Sequence, residues 1–112
     1  MNPNKIVLSG AVLVMSVFVA TGAQAAVDQA GAKKLLNESG CLNCHDETKT
    51  KVARSYKKIA ADFKGKPGAE AAITKHLTES STVKLGGEAV DHPQVEADSA
   101  QVKNLVKWIL SR

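Results

Sequence analysis

The sequence contains few of the large side chains that usually fill a protein core. One tryptophan, one tyrosine and two phenylalanines are its only aromatic residues, 4% of 112. No segment alternates apolar and polar residues over a sustained length, which argues against a sheet and for an all-α domain. A small domain with so thin an apolar core usually depends on a disulfide, a metal or another bound group. We therefore expect something other than side chains to occupy the middle of this domain.

Residues 1–25 have the layout of a cleaved secretory signal. Lys5 precedes an uncharged, mostly apolar run of 15 residues at positions 6–20, and Ala23-Gln24-Ala25 follows. This run is shorter than the roughly 20 residues that cross a bilayer, which disfavours an uncleaved membrane anchor. The sequence thus predicts a signal peptide over residues 1–25 and a periplasmic domain over residues 26–112. Both methionines, at positions 1 and 15, fall in the signal, so the mature domain has none.

Four helices are predicted in the mature domain. The first follows Asp28, a suitable N-cap, and ends at Gly40. The second spans about residues 55–63, the third begins at residue 69, and the fourth begins at Asp98 or Ser99. Their apolar faces carry Ala32, Leu35, Leu36, Ala72, Ile73, Leu77, Val102, Leu105, Val106, Ile109 and Leu110. Residues 80–93, which include Gly86 and Gly87, are predicted to be a long irregular connection.

Basic residues are concentrated in one third of the mature domain. Between positions 49 and 66 they are Lys49, Lys51, Arg54, Lys57, Lys58, Lys64 and Lys66, opposed there only by Asp62. Without Lys5 the chain has 14 basic and 11 acidic residues, a net charge of +3. Such a surface can be ordinary solvated surface, or it can dock an acidic protein partner. A nucleic-acid partner does not suit an exported protein of so modest a charge.

The segment GCLNCH, residues 40–45, holds both cysteines and one of the three histidines. A redox dithiol of the thioredoxin kind needs a strand before the cysteines, and none is predicted. A zinc site needs further ligands, and the other two histidines lie 16 positions apart, which matches no common zinc pattern. Cys-x-x-Cys-His in an exported chain is typical of covalent haem attachment. The segment predicts one haem c bound through Cys41 and Cys44, with His45 as the proximal iron ligand.

Beyond this segment, nearly all of the mature chain resembles the small single-haem class I cytochromes c of bacteria. The resemblance rests on GCLNCH after a helix, on a V-x-x-x-Y stretch at positions 52–56 followed by KKIAADFKGKPGAEAAI, and on the closing LVKWIL. It implies the cytochrome c fold, in which the N- and C-terminal helices cross over the haem and one haem edge is exposed. It also implies that Leu35 and Leu36 pack against the last helix and that Trp108 is a structural core residue.

Two positions depart from the family pattern. The family usually has Gly-Pro where this chain has Ala53-Arg54, and the proline carbonyl accepts the ring N–H of the proximal histidine. Arg54 still offers a carbonyl, but from a less restricted loop. The family also places a methionine, often followed by proline, before the last helix, where its sulfur is the sixth iron ligand. His92-Pro93 occupies that place here.

Three interpretations of the sixth iron position remain open. In the first, His92 replaces the methionine, because imidazole nitrogen suits iron well. In the second, His76 is the ligand, although the resemblance favours a haem propionate contact for this residue. In the third, the position is empty or weakly held by water or Lys84, which would let small molecules bind. A second imidazole stabilises ferric iron more than a thioether does, so the first interpretation predicts a low reduction potential.

These observations lead to one predicted function and one alternative. The protein is expected to be a monomeric periplasmic electron carrier that meets acidic redox proteins, has no catalytic residue and does not stay inserted in a membrane. The alternative is a module that binds or senses NO or CO at a labile or vacant distal position. An enzyme is not expected, because no second acid or base is placed to assist peroxide cleavage.

Overall fold

The computed structural model describes residues 26–112 together with the isolated positions Gly10 and Ser16. The predicted signal peptide otherwise lies outside the described residues. The elements in chain order are α1 (Gln29–Glu38), a 3-10 turn (Cys41–Asn43), α2 (Tyr56–Phe63), α3 (Ala69–Thr78), β1 (Ser81–Leu85), β2 (Glu88–His92) and α4 (Ser99–Leu110). The fold is mostly helical, as predicted. None of the helices in residues 26–112 has both the length and the apolar character needed to span a membrane.

Short polar side chains cap the N-termini of α1, α2 and α4, where the sequence predicts these helices to begin. The Asp28 carboxylate accepts a first-turn N–H of α1 at 2.9 Å, and the Ser55 hydroxyl accepts one of α2 at 3.1 Å. At α4 the Asp98 carboxylate accepts the Gln101 N–H at 2.8 Å while the Gln101 side chain accepts the Asp98 N–H at 3.2 Å. This reciprocal pair is a capping box and makes Asp98 the N-cap.

The core forms where α1, α2 and α3 pack against α4. Its buried apolar residues are Ala32, Leu35, Leu36, Tyr56, Ile73, Leu77, Val95, Val102, Leu105, Val106, Trp108 and Ile109. The predicted packing of Leu35 and Leu36 near the last helix is confirmed, and Trp108 is a core residue with only 1% of its surface exposed. Ala72 is exposed, contrary to its predicted place, because α3 buries only the i, i+4 pair Ile73 and Leu77.

Two polar residues of the C-terminal region fasten α4 to the rest of the chain. The Asn104 side chain accepts the Asp28 N–H at 2.8 Å and donates to the Asp28 carbonyl at 2.9 Å. The Arg112 guanidinium lies 4.4 Å from the centre of the Trp108 ring and forms an ion pair with Glu47 at 2.8 Å. The middle of α4 is therefore attached to the start of α1, and the residue after its C-terminal end is attached to the segment that follows the two cysteines.

The prediction of an irregular connection over residues 80–93 is wrong. Residues 81–92 form an antiparallel hairpin in which Ser81 faces His92 and Leu85 faces Glu88. Its two-residue turn is Gly86-Gly87, with φ angles of 58° and 89°, a left-handed backbone that glycine adopts without steric cost. A Gly-Gly pair between two short runs is a hairpin signal. The apolar–polar pattern did not predict these strands, because each has only five residues and none of residues 81–92 is buried.

Candidate haem site

Both cysteines lie in the tight turn that follows α1. Gly40 has a left-handed backbone, with φ of 69°, and leads the chain from the helix into the turn. The N–H groups of Cys44 and His45 both donate to the Cys41 carbonyl, at 3.2 and 3.0 Å. The two thiols are free and half-buried, and burial raises the pKa of Cys41. The turn therefore presents two thiols and an imidazole within five residues.

His45 is oriented by a backbone carbonyl and by an aromatic ring. Its Nδ1 donates to the Arg54 carbonyl at 2.5 Å, so the carbonyl predicted to replace that of proline does accept this hydrogen bond. Its ring lies 5.1 Å from the ring of Tyr56, which in turn meets Trp108 edge-on at 5.4 Å. Burial raises the pKa of Tyr56 far above its ordinary value, which keeps the hydroxyl neutral. With Nδ1 engaged, the nitrogen left to bind a metal is Nε2.

His92 is the last residue of β2 and has the same kind of hydrogen bond. Its Nδ1 donates to the Pro93 carbonyl at 2.9 Å, which leaves its Nε2 as the nitrogen available to a metal. The base of the hairpin is attached to α3 and its flank, because the Val95 N–H donates to the Leu77 carbonyl at 2.8 Å and Gln94 donates to Ser80 at 2.9 Å.

The fold brings the two histidine rings together across 47 residues of chain. Their centroids lie 6.4 Å apart and their planes differ by 52°. A five-membered ring built from C–N bonds of about 1.33 Å has its centre about 1.1 Å from each atom. Adding a metal–nitrogen bond of about 2.0–2.1 Å on each side gives about 6.3 Å between two rings on opposite sides of one metal. The spacing of His45 and His92 thus matches that of two opposing ligands.

His76 lies beside His92, so all three histidines of the chain are found at this site. It is half-buried on α3, and its ring centroid is 4.3 Å from that of His92. Burial lowers its pKa, and the charges of His92 and Arg54 add to this shift. Lys84, the other named candidate ligand, is exposed on β1, where strand alternation puts it on the opposite face of the hairpin from His92.

The site also has chemical features that fit a haem. Two thiols and two imidazoles with free Nε2 atoms are the donor set that a covalently bound, six-coordinate haem uses. The buried Nε1–H of Trp108 finds no acceptor among residues 26–112, and a buried donor without a partner is costly. A haem carries carboxylates that would satisfy such a donor. Within the same residues, no group of three or more His, Cys, Asp or Glu is arranged to hold a bare metal ion.

A mostly helical domain built around a Cys-x-x-Cys-His turn defines a class of small haem-binding proteins, and comparison with known proteins identifies the family. The family model described as cytochrome c matches residues 29–112. Cytochrome c-551 of Pseudomonas aeruginosa is 35% identical over 78 residues, which cover 70% of this chain and 73% of that protein. Cytochrome c2 of Rubrivivax gelatinosus is 30% identical, with coverage of 69% of this chain and 92% of that protein.

Solved structures agree with these matches. The class 1 cytochrome MtoD of Sideroxydans lithotrophicus superposes with a TM-score of 0.75 at 40% identity, covering 77% of this chain and 97% of that chain. Cytochrome c552 of Nitrosomonas europaea superposes with a TM-score of 0.58 at 26% identity, covering 70% and 96%. The chain belongs to the cytochrome c family. It is a small single-haem electron carrier with one covalently bound haem c, and it is not an enzyme.

The structure gives contacts at the site to two residues for which the sequence analysis predicted no role there. Tyr56 supports the His45 ring, and Asp62 binds the side chains of both Arg54 and Lys58. The i, i+4 spacing of Lys58 and Asp62 is a readable signal for one of these pairs. Nothing in a single sequence marks the contact between residues 54 and 62, because Arg54 lies in a loop.

Proposed function

We propose that this cytochrome is a periplasmic, low-potential electron carrier with two histidine ligands to its iron. Cys41 and Cys44 form the thioether bonds, His45 is the proximal ligand and His92 is the distal ligand. The observation that carries the proposal is the 6.4 Å separation of the two rings, each of which has its Nδ1 on a backbone carbonyl. The bound haem supplies an iron that exchanges one electron between its ferric and ferrous states. The role of His76 as a haem propionate contact remains part of this proposal.

Two imidazole ligands would account for a low reduction potential. Each Nδ1–H is held by a backbone carbonyl, that of Arg54 or that of Pro93, and such a bond raises the basicity of the ligating Nε2. More basic ligands favour ferric over ferrous iron. Thioether ligands favour the ferrous state instead, and residues 16–112 contain no methionine that could supply one. Axial ligand identity moves haem potentials over a range of about 0.8 V, so the effect is large.

Spectra of ligand variants test this assignment directly. The ferric parent is expected to give the EPR and absorption spectra of low-spin, six-coordinate iron, and His92→Ala is expected to convert it to high-spin iron. His76→Ala serves as the control because His76 is also half-buried and touches the same ring; it should leave the iron low-spin. If His92→Ala retains the parent spectrum, His92 is not the distal ligand.

A haem that binds small molecules is the second candidate, and the hairpin favours it. His92 ends a hairpin, residues 81–92, in which no side chain is buried, so few apolar contacts hold this proposed ligand in place. A ligand held this way can leave the iron and free the position for CO or NO. Stopped-flow mixing of the ferrous protein with CO separates the candidates. Uptake limited by slow loss of His92 supports the electron carrier with two stable ligands, and rapid uptake proportional to CO supports the ligand-binding module.

The proposed docking surface consists of the exposed basic residues from Lys49 to Lys66 around the cysteine turn. Two apolar side chains are exposed within or beside them, Leu42 at 40% and Val52 at 55%. Lys51 donates to the Leu42 carbonyl at 3.0 Å, so positive charge lies directly beside this apolar pair. Apolar contact surrounded by charge suits the small, transient interface of a redox complex with an acidic protein.

Oxidation by charged reagents tests this surface. With ferricyanide as an anionic oxidant at low salt, Lys49→Glu combined with Lys51→Glu is expected to slow oxidation about tenfold, and the difference should vanish at high salt. Lys33→Glu combined with Lys34→Glu, two exposed residues of α1, makes the same change in net charge; it is the matched control and should have little effect. Equal slowing by the control would show that only net charge matters and would contradict a localised docking surface.

Export to the periplasm rests on residues 1–25. The protein recovered from the periplasmic fraction is expected to begin at Ala26, which intact mass measurement determines. A full-length chain in the membrane fraction would contradict cleavage. Sedimentation of the purified protein at several concentrations tests the expected monomer.

A further inference from the structure

The Arg54 side chain is held by an ion-pair network on α2. Its Nη1 donates to Asp62 Oδ2 at 2.7 Å, and Lys58 Nζ donates to Asp62 Oδ1 at 2.6 Å. Both oxygens of one carboxylate are therefore engaged. Asp62 has 28% of its side chain exposed, compared with 58% for Arg54, so this acceptor is the more enclosed member of the pair. Lys58 and Arg54 both lower the pKa of Asp62, which keeps it ionised.

The Arg54 backbone is also the acceptor for the proximal imidazole. Its carbonyl accepts the Nδ1–H of His45, while its own N–H donates no hydrogen bond within residues 26–112. The neighbouring peptide is fixed, because the Ala53 N–H donates to the Cys44 carbonyl at 2.9 Å. Ser55, on the other side, is buried and caps α2. The Ala53 carbonyl also accepts the Lys51 N–H at 3.1 Å, so the peptide just before Arg54 is fixed as well. The Arg54 carbonyl itself accepts only the His45 Nδ1–H among the described residues.

We propose that Asp62 is a positioning residue for the proximal ligand: by holding the Arg54 guanidinium against α2, it fixes the carbonyl that orients the His45 ring. The proposal rests on the proposed function, in which His45 binds the iron. A proline at position 54 would restrict the same backbone through its ring, which locks φ. The chain has arginine there, and an ion pair provides the restraint that the ring would have provided.

The expected size of this restraint is modest, because the ion pair is partly exposed. Pairs of this kind alter an equilibrium about two- to fivefold. Loss of Asp62 should therefore loosen the Arg54 carbonyl without unfolding the loop. A looser carbonyl weakens the hydrogen bond from Nδ1, makes Nε2 less basic and raises the reduction potential.

The test measures the His45 ring N–H directly in the ferrous holoprotein labelled with ¹⁵N-histidine. In the parent, a slowly exchanging Nδ1–H on a ring whose Nε2 binds metal is expected. Asp62→Asn and Arg54→Ala should each speed its exchange with solvent about two- to fivefold and raise the reduction potential. The double variant should show the same exchange rate and reduction potential as either single variant, because each substitution removes the same ion pair. Glu38→Gln, which breaks the exposed ion pair with Lys34 on α1, is the matched control and should leave both values unchanged.

A proline background makes the test more specific. Arg54→Pro keeps the carbonyl and removes no backbone hydrogen bond, so Asp62→Asn added to it should alter neither exchange nor potential. If Asp62→Asn behaves like Glu38→Gln, or acts equally in both backgrounds, the positioning role is wrong. If the parent shows no metal-bound His45 ring at all, the assignment of the proximal ligand fails instead, so the two failures are distinguishable.

Discussion

On both the proximal and the distal side of the site, a histidine Nδ1 donates to a backbone carbonyl. The segments that carry the two histidines are packed very differently. His45 lies in a turn directly after α1, against the buried ring of Tyr56, and its Nδ1 reaches a carbonyl nine residues away. His92 ends a hairpin of which no residue is buried, and its Nδ1 reaches the carbonyl of the next residue. In the proposed site, the basicity of both Nε2 atoms is thus set by a carbonyl acceptor of the same kind. Their mechanical support is not equal.

This difference predicts which side opens first. The proximal segment is tied by backbone bonds to the start of α2, since Tyr56 and Lys57 donate to the carbonyls of Asp46 and Glu47, each at 3.0 Å. The hairpin is tied to the helices mainly at its base. Local opening requires the least free energy where few apolar contacts must break. With the ligands proposed above, loss of His92 from the iron should therefore precede any loss of His45.

A cavity in the core that supports both sides of the site should have the largest effect on stability. Both sides should still unfold in one transition. Leu105 is fully buried in α4, and Leu105→Ala is expected to lower the free energy of unfolding by about 2–5 kcal/mol. Denaturant unfolding followed by far-UV circular dichroism and by haem absorbance should still give coincident transitions. Lys103→Ala, exposed on the same helix, is the control. Separate transitions in Leu105→Ala would show that the distal side does not depend on this core.

Strain in the hairpin turn should weaken the binding of His92 on the distal side and leave the proximal side unchanged. Gly87 has φ of 89°, and Gly87→Val is expected to destabilise the turn by about 1–2 kcal/mol. His92 should then leave the iron more often, which speeds CO uptake by the ferrous protein about five- to thirtyfold. Lys84→Val changes the same hairpin at a position without positive φ and should leave uptake near that of the parent. Equal rates for the two variants would contradict control of His92 by the turn.

Acid should remove a smaller contribution to folding stability, the one that the ionised Asp62 makes on the proximal side. Lys58 and then Arg54 hold the pKa of Asp62 below its ordinary value, so the folded state favours the carboxylate. The resulting stabilisation is complete above the unfolded-chain pKa of about 3.9 and is lost as the pH falls through the lower folded value. Urea midpoints of the parent and Asp62→Asn should differ near neutral pH and converge at low pH. A gap that persists at low pH would show that the effect is not electrostatic.

The helices and the haem-binding turn could be predicted because their signals are local. Asp28 and Asp98 mark helix starts, apolar residues recur at helical spacing, and the two thiols and His45 lie within five consecutive residues. The hairpin could not be recognised by periodicity, since two five-residue strands with no buried residue produce no strong alternation. The Gly86-Gly87 pair was a more informative sign of the hairpin than the pattern of apolar residues.

The amino-acid sequence by itself determined the class of cofactor, the family and the absence of methionine from residues 16–112. It also placed a histidine before Pro93, but it did not settle whether His92 or His76 faces His45. Only the tertiary structure decided that distance, because it depends on how a hairpin and α3 pack over 47 residues of chain. The support of the Arg54 carbonyl by Asp62 was decided in the same way. A motif such as Cys-x-x-Cys-His can be recognised from neighbouring residues, whereas a contact between distant side chains depends on the packing of the whole domain.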